Sequence, residues 1–313
     1  MGIIDFKNVS VYYNKSKVLD NFSFSVEGKE IFGLLGPNGS GKTTTLKVLT
    51  GLIKPNSGNA FINNRDIWDN RNLFKKDIGY CPQFDSFNEK LTVRENIKYF
   101  AKLYEIDDDL DNLAYNVCSY LGLNKRIDHR VENLSGGFKR RLNIALGILH
   151  EPKILFLDEP SIGLDPISRN ELWKLIKELS SEGTTIILAT NIMEEAEYLC
   201  DRVVLLKNGR NIISGTLTEI RRKTPKLETI IIYTQGSVRS NYQKIIQYIH
   251  SLQGVMYVEY TNDVIRIKAR ANYSDEIVRY VISHLKMSSV IVEDVKVIPS
   301  SLIDAFEVLV GPG

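Results

Sequence analysis

Cysteine is scarce in this chain, with three in 313 residues. Cys81, Cys118 and Cys200 lie far apart and in no metal-ligand spacing. A disulfide framework and a structural zinc site are therefore disfavoured, and a reducing cytoplasm is the expected setting. Long hydrophobic runs are missing too: none approaches the ~20 residues needed to cross a bilayer. Any work at a membrane would need another chain to supply the span. The opening "MGIIDFKNV" lacks the basic and apolar pattern of a signal peptide, and Phe6 stands where a myristoylation motif wants Ser or Thr. No charge of one sign dominates. With 40 Lys and Arg against 38 Asp and Glu the formal charge is +2, which argues against a broad electrostatic surface for nucleic acid. The local cluster Arg221-Arg222-Lys223 reads as solvated linker. Internal repeats and low-complexity tracts are absent as well.

What is present fits one large domain plus a smaller one, since 43% of residues are hydrophobic and 25% charged. From 3 to 32 apolar residues alternate (Ile4, Phe6; Val9, Val11, Tyr13; Phe22, Phe24, Val26), the mark of half-buried antiparallel strands. "IFGLL" (31–35) is continuously apolar and leads through a glycine-rich turn into "KTTTLKVLTGL", with Leu46, Leu49 and Ile53 on one helical face. Residues 88–150 read as a helical insert. Its "LTVRENIKYFAKLY" aligns Val93, Ile97, Phe100 and Leu103, and Thr92 with Glu95 suggests a capping box. "KILFLDEP" restores a buried strand, and "ISRNELWKLIKELSSEG" a helix with Leu172, Leu175, Ile176 and Leu179 inward. "TTIILAT" and "RVVLLKNGR" are further strands. Strands alternating with helices predict an α/β fold with a mostly parallel core sheet and an antiparallel β subdomain. The texture changes near 222, giving expected domains 1–221 and 222–313. The second reads βαββαβ, a ferredoxin-like α+β pattern, with a hairpin near Thr261-Asn262 and a closing helix in "SLIDAFEVLV".

"GPNGSGKT" (36–43) fits G-x-x-x-x-G-K-[ST] between a predicted strand and a predicted helix. Glycines 36, 39 and 41 let backbone N–H groups point at phosphate, aided by the positive end of the helix that follows. Lys42 would bridge β- and γ-phosphate oxygens, and the Thr43 hydroxyl would ligate Mg²⁺. "ILFLDEP" (154–160) puts two carboxylates at the end of a buried strand. Asp158 is placed for the Mg²⁺ shell and Glu159 for an attacking water, a structural ion pair being the ordinary alternative. "LSGGFKRR" (134–141) opens a helix at a Ser-Gly-Gly turn. Alone it is a helix N-cap, yet its N–H groups offer a second phosphate cradle.

These motifs, in this order over about residues 3–220, resemble the ATP-binding cassette ATPases, the nucleotide-binding subunits of ABC transporters, and their drug- and daunorubicin-exporter branch in particular. The resemblance implies a P-loop fold and ATP with Mg²⁺ as ligands. It implies that Gly36, Pro37, Asn38, Gly39, Ser40, Gly41, Lys42, Thr43 and Thr44 hold the phosphates, and that Tyr13 stacks on adenine. Gln83 in "YCPQFD" corresponds to the Q-loop glutamine at Mg²⁺ and water, "ILFLDE" to Walker B and "SIGLD" to the D-loop. In such a family two cassettes close head to tail on two ATP molecules, so Ser135, Gly136 and Gly137 of one would touch the γ-phosphate held by the other. The partners implied are a second cassette, as homodimer or heterodimer, and a separate transmembrane permease subunit. No nucleic acid and no structural metal beyond Mg²⁺ are expected.

Two positions depart from the family pattern. Phe138 stands where many members have Gln, although the exporter branch often has an apolar residue there. Asn191, which ends the strand "IILATN" (186–191), occupies the place of a histidine that contacts the γ-phosphate and helps hold the water and Glu159. An amide can still donate and accept, but it has less reach and no titratable ring. ATP binding with slow hydrolysis is the expectation, and a regulatory ATP-binding cassette is the alternative. A plain helix cap for the segment beginning near Met193 is also open for Asn191. The tail "PSSLIDAFEVLVG" resembles those of exporter-type cassettes and implies an accessory or regulatory domain, with an independent stability module as the other possibility.

Overall fold

The computed structural model describes residues 2–107, 109–223, 227–235, 242–288 and 290–299. The chain divides into two compact units, one ending at Leu217 and the other starting at Thr218. The change of texture at 221/222 falls inside the same helix, α8 (Leu217–Lys223).

The first unit begins with β1 (Ile4–Tyr13) and β2 (Ser16–Val26), joined at Asn14-Lys15, both with positive φ of 44° and 75°. The turn matches the right-handed twist of the hairpin. With β4 (Ser57–Ile62) and β5 (Arg65–Asp66) these form an antiparallel sheet ordered β2-β1-β4-β5. The core sheet contains β3 (Ile31–Leu35), β6 (Ile78–Cys81), β7 (Ile154–Asp158), β8 (Thr185–Thr190), β9 (Arg202–Lys207) and β10 (Arg210–Thr216), ordered β10-β9-β3-β8-β7-β6. All its pairings are parallel except β9 with β10. Every residue of β3, β7 and β8 is buried, as expected of parallel strands covered on both faces. Phe24 on the antiparallel sheet stacks on Phe32 of β3 at 5.3 Å, joining the sheets into one core.

Three helices make the insert: α3 (Val93–Leu103), α4 (Leu110–Tyr120) and α5 (Gly136–Ile148). The Thr92/Glu95 capping box is formed in both directions. The stripe differs from expectation at its end. Val93, Ile97 and Ala101 are buried, whereas Leu103 is 60% exposed, because α3 ends there and its last turn borders an open groove. Helix α1 (Lys42–Leu49) is also shorter than predicted. Gly51, at φ 70°, breaks it, and Ile53 packs partly buried against the core from beyond its end. Between α1 and α3 the chain adds β4, β5, α2 (Arg71–Phe74) and β6, which the pattern had not signalled. "RVVLLKNGR" is one strand and a turn: Asn208-Gly209, both at positive φ, carry the chain into β10. Helix α6 (Pro166–Ser181) buries Leu172, Leu175, Ile176 and Leu179 as predicted, and α7 (Met193–Leu199) follows β8.

The second unit runs β11 (Leu227–Gln235), α9 (Tyr242–Ser251), β12 (Val255–Thr261), β13 (Val264–Arg270), α10 (Ser274–Met287) and β14 (Ile291–Pro299). Its antiparallel sheet is ordered β12-β13-β11-β14, the ferredoxin-like arrangement. The hairpin turns at Asn262-Asp263, one residue later than predicted. The closing helix expected in "SLIDAFEVLV" lies outside the described residues. No helix among the described residues is long and apolar enough to cross a membrane.

Candidate active site

Sheet order sets the site. β8 lies between β3 and β7, with Leu35 opposite Thr190 and Ala189 opposite Asp158. The segments after these three parallel strands therefore open side by side at their carboxyl ends, where open α/β sheets bind ligands. A cleft of about 340 Å³ there is lined by Asn38, Gly39, Gly41, Lys42, Thr43, Thr44, Gln83 and Glu159, with Val18. Gly39 and Gly41 adopt φ of 79° and 113°, conformations that favour glycine. A Cβ on Gly41 would come within 2.6 Å of Leu19 Cδ2 and 3.1 Å of Val18 O, so a side chain at that position would crowd the floor of the cradle. Gly41 caps α1 without a side-chain bond and no acidic residue sits in the first turn. The positive end of α1 is left open to an anion.

Lys42 is buried, and its Nζ lies 3.1 Å from Glu159 Oε1. It also donates to the carbonyls of Gly36 at 2.8 Å and Pro37 at 3.2 Å. Thr43 Oγ1 donates to Asp158 Oδ1 at 3.2 Å. Asp158 Oδ2 and Ser40 Oγ are buried without a hydrogen-bond partner. Burial pushes the Asp158 carboxyl above the usual carboxylate range, while the Thr43 bond opposes that shift. A hydroxyl beside a half-satisfied buried carboxylate is the oxygen-only donor set that suits Mg²⁺.

Glu159 sits at φ 49°, a left-handed conformation that costs a non-glycine residue about 1 kcal/mol or more. Its N–H donates to Ala189 O at 2.8 Å, and its Oε2 accepts from the Asn191 N–H at 3.2 Å. The Asn191 side chain donates through Nδ2 to Asn38 Oδ1 at 3.1 Å. It does not cap α7, whose N-cap is Ile192. Asn191 thus bridges the glycine-rich loop and Glu159, which answers the capping alternative.

Of the remaining predicted residues, Gln83 lines this cleft and the others lie outside it. Tyr13 is 43% exposed at the end of β1. Ser135 and Gly136 are exposed at the start of α5, and the Ser135 side chain makes no capping bond, contrary to the ordinary reading of that turn. Phe138 lies 5.9 Å from both the Arg126 and Arg141 guanidinium groups. Gln83 is exposed and borders the cleft.

Arg140, Asn143 and Glu195 are among the buried polar residues that the sequence does not single out. Arg140 hydrogen-bonds the backbone of both the Gln83 and Glu159 segments. Asn143, one turn on, accepts from the Ser86 N–H at 3.1 Å and donates to Pro82 O at 3.3 Å. Glu195 is fully buried, accepting from Trp173 Nε1 at 3.0 Å and from the Ser161 hydroxyl, and burial raises its pKa. The available signal was polarity at i and i+3 on a helix that is otherwise apolar on that face.

Residues 19–162 match the ABC transporter family. The linearmycin resistance ATP-binding protein of Bacillus subtilis is 38% identical over 215 residues, covering 68% of this chain and 69% of that protein. The Nod factor export ATP-binding protein I of Rhizobium etli is 37% identical over 234 residues, 74% of each chain. Among solved structures, an ATP-binding subunit of an ABC transporter superposes with a TM-score of 0.63 at 32% identity, covering 71% of this chain and 92% of that one. A dimeric ATP-binding cassette in a post-hydrolysis state, bound to ADP and Pi, gives 0.62 at 26% identity, covering 68% and 98%.

Proposed function

The chain belongs to the ABC transporter family as an ATP-binding subunit, a class of ATPases, and from that premise we propose that it powers export through a separate transmembrane permease. The observation that carries this reading is the meeting of Lys42, Thr43, Asp158, Glu159 and the Asn191 amide at the ends of three adjacent parallel strands. Loop N–H groups and Lys42 hold the β- and γ-phosphates and stabilise transferred charge. Glu159, fixed at both its main chain and its carboxylate, orients and polarises the attacking water. Thr43, Asp158 and Gln83 would hold Mg²⁺, which supplies charge neutralisation to the phosphates. Tyr13 stacks on adenine.

Ser135, Gly136 and Gly137 lie off this cleft and serve the cleft of a second cassette, so two ATP molecules are enclosed head to tail. The permease docks on the helical insert. Support comes from an open groove beside β6 and the end of α3, where Leu52 and Leu103 are 62% and 60% exposed. The chain would then sit on the cytoplasmic face of the membrane. Export, rather than uptake, is supported by relatives named for linearmycin resistance and Nod factor export. The ferredoxin-like unit is assigned to dimer contacts or regulation. A regulatory cassette with very slow turnover is the second reading, favoured by the engagement of the Asn191 amide with Asn38.

Light scattering tests the shared site. Glu159→Gln is expected to run as a dimer with Mg²⁺-ATP and as a monomer with ADP. A Cβ at Gly136 would meet nothing nearer than 3.9 Å, so Gly136→Asp can fold, and its charge would repel phosphate. The double variant should stay monomeric. A dimer unaffected by Gly136→Asp would refute the head-to-tail arrangement.

A further inference from the structure

Arg140 is 6% exposed, and all five of its guanidinium N–H donors end on main-chain carbonyls. Nε donates to Pro160 O at 2.7 Å, Nη1 to Pro82 O and Gln83 O at 3.1 Å each, and Nη2 to Asp158 O at 2.8 Å and Glu159 O at 2.7 Å. The acceptors fall in two segments far apart in sequence. One carries Gln83 and the other carries Glu159, both of which border the cleft. Arg140 itself stands one turn along α5 from Gly136, on the helix whose first residues do not line that cleft.

Only a planar, five-donor group can satisfy this fork. A lysine offers three donors from one point, and a glutamine two. The clamp also holds the carbonyl of the residue with strained backbone, Glu159 at φ 49°. Its carboxylate direction thus depends on α5 as well as on Lys42 and the Asn191 N–H.

We propose that Arg140 is a positioning residue that yokes the start of α5 to Gln83 and Glu159. Engagement of α5 by a second cassette's nucleotide then sets the attitude of the Glu159 carboxylate in this chain's own cleft. The two ATP sites of a dimer are coupled through one guanidinium. This inference rests on the functional reading above.

The test uses the full chain, Arg140→Lys and Arg140→Gln, with Glu159→Gln as the blank. Turnover is measured against ATP concentration, alongside fluorescent-nucleotide binding and thermal melting. In both variants kcat is expected to fall about 10- to 10²-fold, the scale of a slight misplacement of a reacting group. ATP affinity should stay within about 3-fold, which separates positioning from binding. The Hill coefficient for ATP should exceed 1 in the unmodified chain and drop to about 1 in the variants. If the unmodified chain turns over and the variants match it in kcat and Hill coefficient, the yoke is refuted. Loss of nucleotide binding or of the folded state in both variants would make Arg140 a scaffold residue, and would also overturn the proposal. An unmodified chain no faster than the blank would instead count against the functional reading itself.

Discussion

Replacing Asn191 by histidine is expected to raise steady-state Mg²⁺-ATP turnover by about 10²- to 10³-fold, the size of one preorganised transition-state donor. The geometry gives the reason. One of the two Asn191 side-chain N–H donors is taken by Asn38 Oδ1, at 3.1 Å, which holds the short amide against the glycine-rich loop. Its main-chain N–H holds Glu159 Oε2 at 3.2 Å and is independent of the side chain. A histidine would keep the second bond while its longer ring carries an N–H past the loop to the phosphate oxygen. Folding should be little changed, since Asn191 is only part-buried and caps no helix. Equal rates for the two proteins, both above a Glu159→Gln blank, would mean that the amide suffices and the slow-cassette reading fails.

Lys42→Ala should have two large effects. First, ATP binding weakens about 10²-fold, the loss of a charge-assisted contact to phosphate. Second, the chain itself is destabilised. The Lys42–Glu159 pair is 3.1 Å apart with both side chains about 95% buried by their 6% and 5% exposure. Removing one partner of such a pair leaves an uncompensated buried carboxylate and costs about 3 kcal/mol. Denaturant unfolding and nucleotide titration read these separately. Glu159→Gln provides the contrast, because it keeps an oxygen acceptor near Lys42 and should retain ATP. A Lys42→Ala protein that still binds ATP as the unmodified chain does would remove Lys42 from the phosphate site.

Much of this was legible because the relevant signals are local. A glycine-rich turn between strand and helix, and two carboxylates ending an apolar run, can each be read within a few residues. The βαββαβ order of the second unit followed from period alone. What stayed hidden depends on tertiary packing. Nothing in "LSGGFKRR" says that Arg140 is buried and Arg141 is part-exposed, because that is decided by which loops α5 covers. Glu195 lies in an acidic run that reads as solvated face, yet Trp173 and Ser161 enclose it. Leu103 completed an apolar stripe but is exposed, since an amphipathic face does not say where its cover stops. Strands β4 to β6 are short, β4 opens on Ser-Gly-Asn and β5 is two charged residues, so they carried little periodic signal.

Phosphate release decides whether the paired Lys42 and Glu159 serve ATP hydrolysis. The most direct measurement is phosphate release from Mg²⁺-ATP by the unmodified chain and by Glu159→Gln, at matched concentration and with ATP occupancy checked in both. Bound ATP is expected in each, with slow multiple turnover in the unmodified chain and none in Glu159→Gln. Equal phosphate release from the two would contradict that role.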